Sequence, residues 1–173
     1  MAKFLGIDCG GTNLRLGLVD EQGELGEKWK VTSPLKSNPQ NFAKTVKGLV
    51  EDTEIEAIGI GVPGSLDLQK GLILTSSNLG NKEPLEIQTQ FEVVFSKKVY
   101  LDRDTNVALL GEAWQGAAKG CQNVVMLTLG TGVGGAIMIN EEIDRGEDGK
   151  AGEIGHMIVN SESETGCGLG HKG

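Results

Sequence analysis

Two glycine-rich turns, each set between apolar alternating runs, restrict the folds open to this chain more than any other feature. The first lies in LGIDCGGTNLRLGLVD, Leu5 to Asp20, and the second in MLTLGTGVGGAIMIN, Met126 to Asn140. Each reads strand, loop, strand. In the second arms, Leu14, Leu16 and Leu18 share one side, and Ala136 and Met138 lie opposite Ile137 and Ile139. Glycine has no Cβ, so backbone N–H groups can crowd together and aim at one oxyanion. Two such turns in one chain point to a phosphate chain gripped from both sides.

The remaining segments predict an α/β chain. Phe4 to Asp8, Leu14 to Asp20 and Leu25 to Thr32 read as successive strands, the last two joined by an EQG turn. Asn38 offers an N-cap and Pro39 a first helical residue, and Phe42, Val46, Leu49 and Val50 continue at helical spacing to about Asp52. Ile55 to Val62 reads as a buried strand stopped by Pro63 and Gly64, and Ser65 to Lys82 as turns with short strands. Glu86 to Phe95 is a helix candidate and Lys98 to Leu101 a strand ending at Asp102. Val107, Leu110 and Trp114 mark a helix running to the Gly120 stop. Strands recur at Asn123 to Leu129 and Gly134 to Asn140.

This order predicts two lobes, residues 1–107 and 108–173, with a cleft between them. The second stops after two strands and one helix, too few elements to bury its faces, so the chain reads as cut short. Composition narrows the function classes. A net charge of −8 argues against nucleic acid, whose phosphates call for Lys and Arg clusters. No run approaches the about 18 apolar residues that span a bilayer, and no charged-then-apolar leader precedes the first strand. Cys9, Cys121 and Cys167 are odd in number and widely spaced, which fits a reducing compartment. The expectation is an acidic, cytoplasmic α/β protein with no nucleic-acid or membrane partner.

Four constellations carry chemistry. Asp8 ends a strand, and a carboxylate there can hold Mg²⁺ through water while Gly10, Gly11, Thr12 and Asn13 offer N–H and hydroxyl donors to phosphates. Lysine is absent and a strand follows, so this is not a Walker loop; a plain type I′ hairpin is the other reading. Gly130, Thr131, Gly132 and Gly134 repeat the pattern in the second turn. Asp102-Arg103-Asp104-Thr105-Asn106 joins a strand to a helix, where an acid can take a proton from a substrate hydroxyl or merely cap the helix. In Ala151-Gly152-Glu153-Ile154-Gly155-His156, the Glu153 and His156 side chains face one ligand if the turn is helical; a capping pair or surface contact is the plainer reading. His156 and Cys167 fall short of the four ligands of a structural zinc, so zinc is not expected.

Together these segments resemble the family named for repressors, open reading frames and kinases (ROK), which includes bacterial glucokinases. That family shares the actin, Hsp70 and hexokinase nucleotide-binding fold, which is ribonuclease H-like. The resemblance runs through LGIDCGGTNLRLGLVD, IGIGVPGSLD, DRDTNVALLGEAWQGAAKG, LTLGTGVGGAIMIN and AGEIGHMIV, in that order. It implies ATP-dependent phosphorylation of a hexose, glucose foremost, at the 6-hydroxyl, with Asp104 as the base and Asp8 as the Mg²⁺-associated acid. It further implies that the two glycine loops cradle the ATP phosphates. The sugar ligands it implies are Glu153 and His156, with Asp104, Asn78 and Gly64 on the first lobe. A homodimer through the second lobe is implied for a full-length member. Two other readings stand beside the kinase: a sugar-sensing regulator of the same family, and a non-catalytic nucleotide-binding module. Regulators carry a helix-turn-helix ahead of the first motif, where this sequence has Met1, Ala2 and Lys3.

Three departures qualify the resemblance. Arg103 stands where many members carry a sugar-contacting Asn. The family's zinc motif, C-x-C-G-x-x-G-C, appears here as Cys167-Gly168-Leu169-Gly170-His171-Lys172-Gly173. The resemblance also implies, for family members, a further sugar-binding Glu, an adenosine-binding segment and a helix returning to the first lobe, to which no segment of these 173 residues corresponds.

Overall fold

The computed structural model describes residues 2–35, 37–51, 53–76, 79–81, 83–130, 132–164 and 166. The chain divides into two compact units, Met1–Val107 and Ala108–Gly173.

In the first unit the order is β1 (Lys3–Cys9), β2 (Asn13–Asp20), β3 (Leu25–Thr32), α1 (Phe42–Leu49), β4 (Ala57–Val62), β5 (Ser65–Asp67), β6 (Leu72–Thr75), α2 (Ile87–Phe95) and β7 (Lys98–Arg103). Five strands form one sheet in the order β3-β2-β1-β4-β7. The β1–β2 and β2–β3 pairs are antiparallel, whereas β1–β4 and β4–β7 are parallel. Strand alternation decides the layers. Leu5, Ile7 and Cys9, Leu14, Leu16 and Leu18, and Ile58, Ile60 and Val62 are buried with Phe42, Val46, Ile87 and Phe91 of the two helices. The Phe91 ring meets Phe42 edge-on at 5.0 Å and stacks on Phe95 at 5.7 Å, which locks α1 against α2. The opposite sheet face carries Gly6, Asp8, Arg15, Gly17, Lys28, Lys30, Gly59, Gly61 and Asp102, because these alternate with the buried set.

The boundary between the units falls within α3 (Asp104–Gln115). The second unit continues with β8 (Val124–Leu129), β9 (Val133–Ile139) and β10 (Glu142–Asp144), antiparallel in the order β10-β9-β8. Leu109, Ala136, Met138 and Ile143 form its core. On the other side of this sheet Val125, Leu127 and Leu129 of the edge strand β8 are exposed. No helix among the described residues is long and apolar enough to cross a membrane.

Several local expectations need correction. Asn38 makes no capping bond; its Oδ1 accepts instead from Asn41 Nδ2, at 3.1 Å. Pro39 opens a 3-10 turn, Pro39–Asn41, and α1 starts only at Phe42. That helix ends at Leu49, since Val50 leaves helical geometry and is buried. Helix α3 stops at Gln115, not at Gly120. The Glu112 carboxylate accepts the Ala117 N–H at 2.8 Å, and its carbonyl accepts those of Gly116 and Ala118, which closes the last turn. Val107, Leu110 and Trp114 have the spacing of an apolar stripe but are 38, 43 and 48 % exposed. The inward stripe is Asn106, Leu109 and Ala113, one position away at the same spacing. Strand β10 was not expected, because three residues with two acids give no alternation to read.

Candidate phosphate and sugar site

In the first unit the chemistry gathers where β1, β4 and β7 end. Asp8 pairs across β1–β2 with Arg15, whose Nη1 lies 3.4 Å from Asp8 Oδ2. Both groups are more than half exposed, so the ion pair adds little stability. On its other side Asp8 pairs with Gly61 of β4. A Cβ built on Gly61 would sit 3.4 Å from the Asp104 Cα and 3.5 Å from the Val107 Cβ. Gly61 therefore lets the first turn of α3 settle over the sheet beside Asp8. One buried thiol senses both acids: burial pushes the Cys9 thiol well above its usual range, and the Asp8 and Asp104 charges push it further. Asp8 and Asp104 thus share one end of one sheet face.

Gly61→Val would add methyl groups against backbone that has no room to yield. We expect it to cost about 1–3 kcal/mol by overpacking and to displace Asp104. Urea unfolding and amide exchange along the first turn of α3 measure both effects, and Gly61→Ala serves as the tolerated control.

Burial separates the two acids of the junction. Asp102 is 8 % exposed, and its Oδ1 accepts Arg103 N–H at 2.7 Å and Asn106 Nδ2 at 2.9 Å. Asp104 is exposed, and its Oδ1 accepts Thr105 N–H at 2.8 Å. Solvent-facing and at a strand-to-helix junction, Asp104 is the acid that a substrate hydroxyl can reach. The Arg103 side chain turns to the buried side of β7, where its Nη2 lies 3.5 Å from Asn106 Oδ1.

The first glycine loop is not a type I′ turn. That turn needs positive φ at its central residues, and none of Gly10, Gly11, Thr12 and Asn13 has it. Gly10 is required for another reason: its N–H donates to Asn13 O at 2.9 Å, and a Cβ would lie 2.8 Å from that oxygen. The Thr12 carbonyl accepts Ser33 N–H at 2.9 Å, which ties the loop to β3. Gly64 also has a backbone reason: its φ is 110°, and a Cβ would overlap the Thr75 carbonyl oxygen. A cavity of about 690 Å³ opens on this sheet face, with Asp8, Arg15, Lys28 and Lys30 at its polar side. Gly6, Gly17 and Gly59 are paired across adjacent strands and leave its floor without side chains.

In the second unit Gly130 N–H donates to Gly132 O at 2.9 Å across the tip of the β8–β9 hairpin. A Cβ on Gly130 or Gly132 would meet nothing within 4 Å. Among the described residues these two glycines meet no packing demand. Gly134 lies within β9, opposite Thr128. Glu153 and His156 sit on a 3-10 turn, Ile154–His156, with Glu153 Oε2 3.8 Å from His156 Nε2. Glu153 makes no side-chain capping bond there, so the capping reading fails, and the two side chains meet as a half-exposed surface contact. Three glycines seat this turn on β9. A Cβ on Gly155 would overlap the Val133 carbonyl oxygen, and one on Gly135 would lie 2.7 Å from Gly152 O. Gly152 has φ 85° and would bring a Cβ to 2.9 Å from Gly135 O.

Asn78, Thr131 and Cys167 lie outside the described residues. Among those described, no three His, Cys, Asp or Glu side chains gather as a metal cluster. Magnesium does not need one, since it keeps several waters and takes one or two carboxylates plus substrate phosphates; the half-exposed Asp8 fits that role. The residues Asp102 and Asn106, which hold the junction together, were not singled out from sequence. An Asp-x-Asp repeat gives no sign of which acid is buried.

The chain matches the ROK family over residues 4–173. It is 32 % identical to a glucokinase of Halalkalibacterium halodurans, over 98 % of this chain and 54 % of that protein. It is 30 % identical to an N-acetyl-D-glucosamine kinase of Vibrio cholerae, over 98 % of this chain and 60 % of that protein. Among solved structures, a ROK family glucokinase from Streptomyces griseus in complex with glucose and AMPPNP matches with a TM-score of 0.83 and 33 % identity. That match covers 99 % of this chain and 55 % of the other. The chain therefore spans about half the length of the relatives it matches. Its fold is the actin- and hexokinase-like α/β fold of these sugar kinases. With both glycine hairpins and the Asp104 junction inside the matched region, the chain belongs to the ROK family.

Proposed function

We propose that this chain carries the acceptor base and both phosphate loops of an ATP-dependent hexose kinase acting on the 6-hydroxyl of glucose. The observation that carries the reading is the exposed Asp104 carboxylate, held at the start of α3 beside the β1 end that bears Asp8. Asp104 accepts the proton of the 6-hydroxyl as its oxygen attacks the γ-phosphorus, and the bond to the β-phosphate oxygen breaks to release ADP. Such transfer rests on positioning and charge stabilisation more than on proton abstraction, so Asp104 orients the hydroxyl as well.

The first loop, through the N–H groups of Gly11 and Thr12, and the open hairpin tip at Gly132 contact donor phosphates, the Gly10 and Gly130 N–H groups being engaged within their own turns. Glu153 accepts from sugar hydroxyls, and His156 supplies a donor or acceptor according to its protonation. Asp8 would hold Mg²⁺ through water, and the ion would supply neutralising charge to the phosphates. The glucose assignment rests on the glucokinase relatives, and the N-acetylglucosamine kinase among them makes the sugar panel part of the test.

A coupled ATP-consumption assay with glucose, mannose, fructose and N-acetylglucosamine tests the reading. Hexose-dependent turnover supports it, and ATP consumption indifferent to every sugar overturns it. These 173 residues contain no counterpart to the relatives' remaining length. We therefore expect the chain alone to bind ATP weakly and to turn over slowly or not at all. Calorimetric titration with ATP checks the affinity, and robust phosphorylation by the purified chain would refute the expectation.

A further inference from the structure

The β7–α3 junction buries three polar side chains, Asp102, Arg103 and Asn106, at 8, 6 and 1 % exposure. Burying a carboxylate and a guanidinium is costly unless each finds partners, and here one amide serves both. Asn106 donates through Nδ2 to Asp102 Oδ1 at 2.9 Å and accepts at Oδ1 from Arg103 Nη2 at 3.5 Å. Asp102 Oδ1 also accepts the Arg103 N–H at 2.7 Å. The arrangement needs a side chain with a donor and an acceptor side by side, which an amide supplies and a carboxylate or methyl group does not. It ties two residues at the strand end to the third residue of the helix. Asp104 and Thr105 are the only residues between the tied positions.

We propose that Asn106, braced by Asp102, is the positioning residue for Asp104. This rests on the reading of Asp104 as the base. The brace fixes the Asp104 backbone through Asn106, while Gly61, paired with Asp102 and without a side chain, leaves room for it over the sheet. The Asp104 carboxylate accepts the Thr105 N–H at 2.8 Å among its contacts. Asn106 touches neither sugar nor nucleotide in this scheme. Its effect falls on the rate of transfer rather than on affinity.

The test compares Asn106→Ala, Asp102→Asn and Asp104→Asn. Amide exchange at Thr105 reports whether the Asp104 carboxylate still holds that N–H, whatever the turnover of the chain. Loss of the brace should speed this exchange by about tenfold, the worth of a hydrogen bond, and lower kcat at least as much with hexose KM unchanged. Asp102→Asn keeps an acceptor oxygen in place and should retain near-native exchange and kcat. If Asn106→Ala does not fold, Asn106→Ser, which keeps a polar group in the buried position, is read the same way. A lowered melting temperature with unchanged Thr105 exchange would overturn the proposal. So would an Asp102→Asn variant as impaired as Asn106→Ala, since charge and not geometry would then matter. Should Asp104→Asn leave turnover intact, the base assignment falls, while Thr105 exchange still decides the brace.

Discussion

Asp104→Asn is expected to lower hexose-dependent ATP turnover by about 10²–10⁴-fold, the usual worth of a positioned general base, while hexose binding is largely kept. The substitution is local. The Asn side chain retains an oxygen that can accept the Thr105 N–H, which Asp104 Oδ1 now accepts at 2.8 Å, so the first turn of α3 should persist. Its Nδ2 then stands where the second carboxylate oxygen was and can donate to the sugar hydroxyl oxygen. What it loses is the capacity to take the proton and the charge that favours its departure. Calorimetry with glucose, paired with the coupled assay at saturating ATP, separates binding from transfer. A variant that binds hexose and matches a parent of measurable hexose-dependent turnover would remove Asp104 from the mechanism.

A second, smaller effect should follow from Gly155→Val, at a residue that need not touch substrate. A Cβ there would overlap the Val133 carbonyl oxygen at the start of β9. Either the 3-10 turn lifts or the strand shifts, and both move Glu153 and His156. Overpacking of this kind costs about 1–3 kcal/mol, which for a unit this small lowers the melting temperature by several degrees. Sugar affinity should fall by at least about tenfold, because a displaced ligand pair loses one or more hydrogen bonds. Gly152→Ala should act in the same direction, through both its φ of 85° and its closeness to Gly135 O. Gly149 is the contrast. It has φ 71° but would bring a Cβ near nothing, so Gly149→Ala should cost backbone strain alone and leave sugar affinity unchanged. Equal loss of affinity in Gly149→Ala and Gly155→Val would show that the turn does not place the sugar ligands.

The parts of this molecule that sequence made legible are those written in local chemistry. Alternation placed Leu14, Leu16 and Leu18 on the buried face, as the structure has them. It separated Met138 from Ile139 in the same way. Glycine spacing located both hairpins. What stayed illegible depends on what lies opposite. Val107, Leu110 and Trp114 have the right period for a core stripe, but period cannot tell which face is covered. Residue type does not separate Asp102 from Asp104; the family resemblance singles out Asp104, and burial shows that Asp102 is tied into the fold. The glycines differ too. Gly10, Gly152 and Gly155 answer steric demands inside the chain, while Gly130 and Gly132 face open space. The letter G is the same in both cases, and the sequence does not say which glycines the packing requires.

The edge strand β8 has a consequence for how the polypeptide behaves in a cell. Val125, Leu127 and Leu129 face solvent from a strand that ends its sheet, and the stretch from Asn123 to Asn140 contains no charged residue. Natural edge strands are commonly guarded by lysines, prolines or bulges, because an apolar unguarded edge templates the addition of further strands. This ribbon has none of these guards. During synthesis it emerges as a segment able to nucleate cross-β aggregation unless another surface covers it promptly. The same stretch that carries the open glycine tip is thus the segment whose apolar edge most calls for a covering surface.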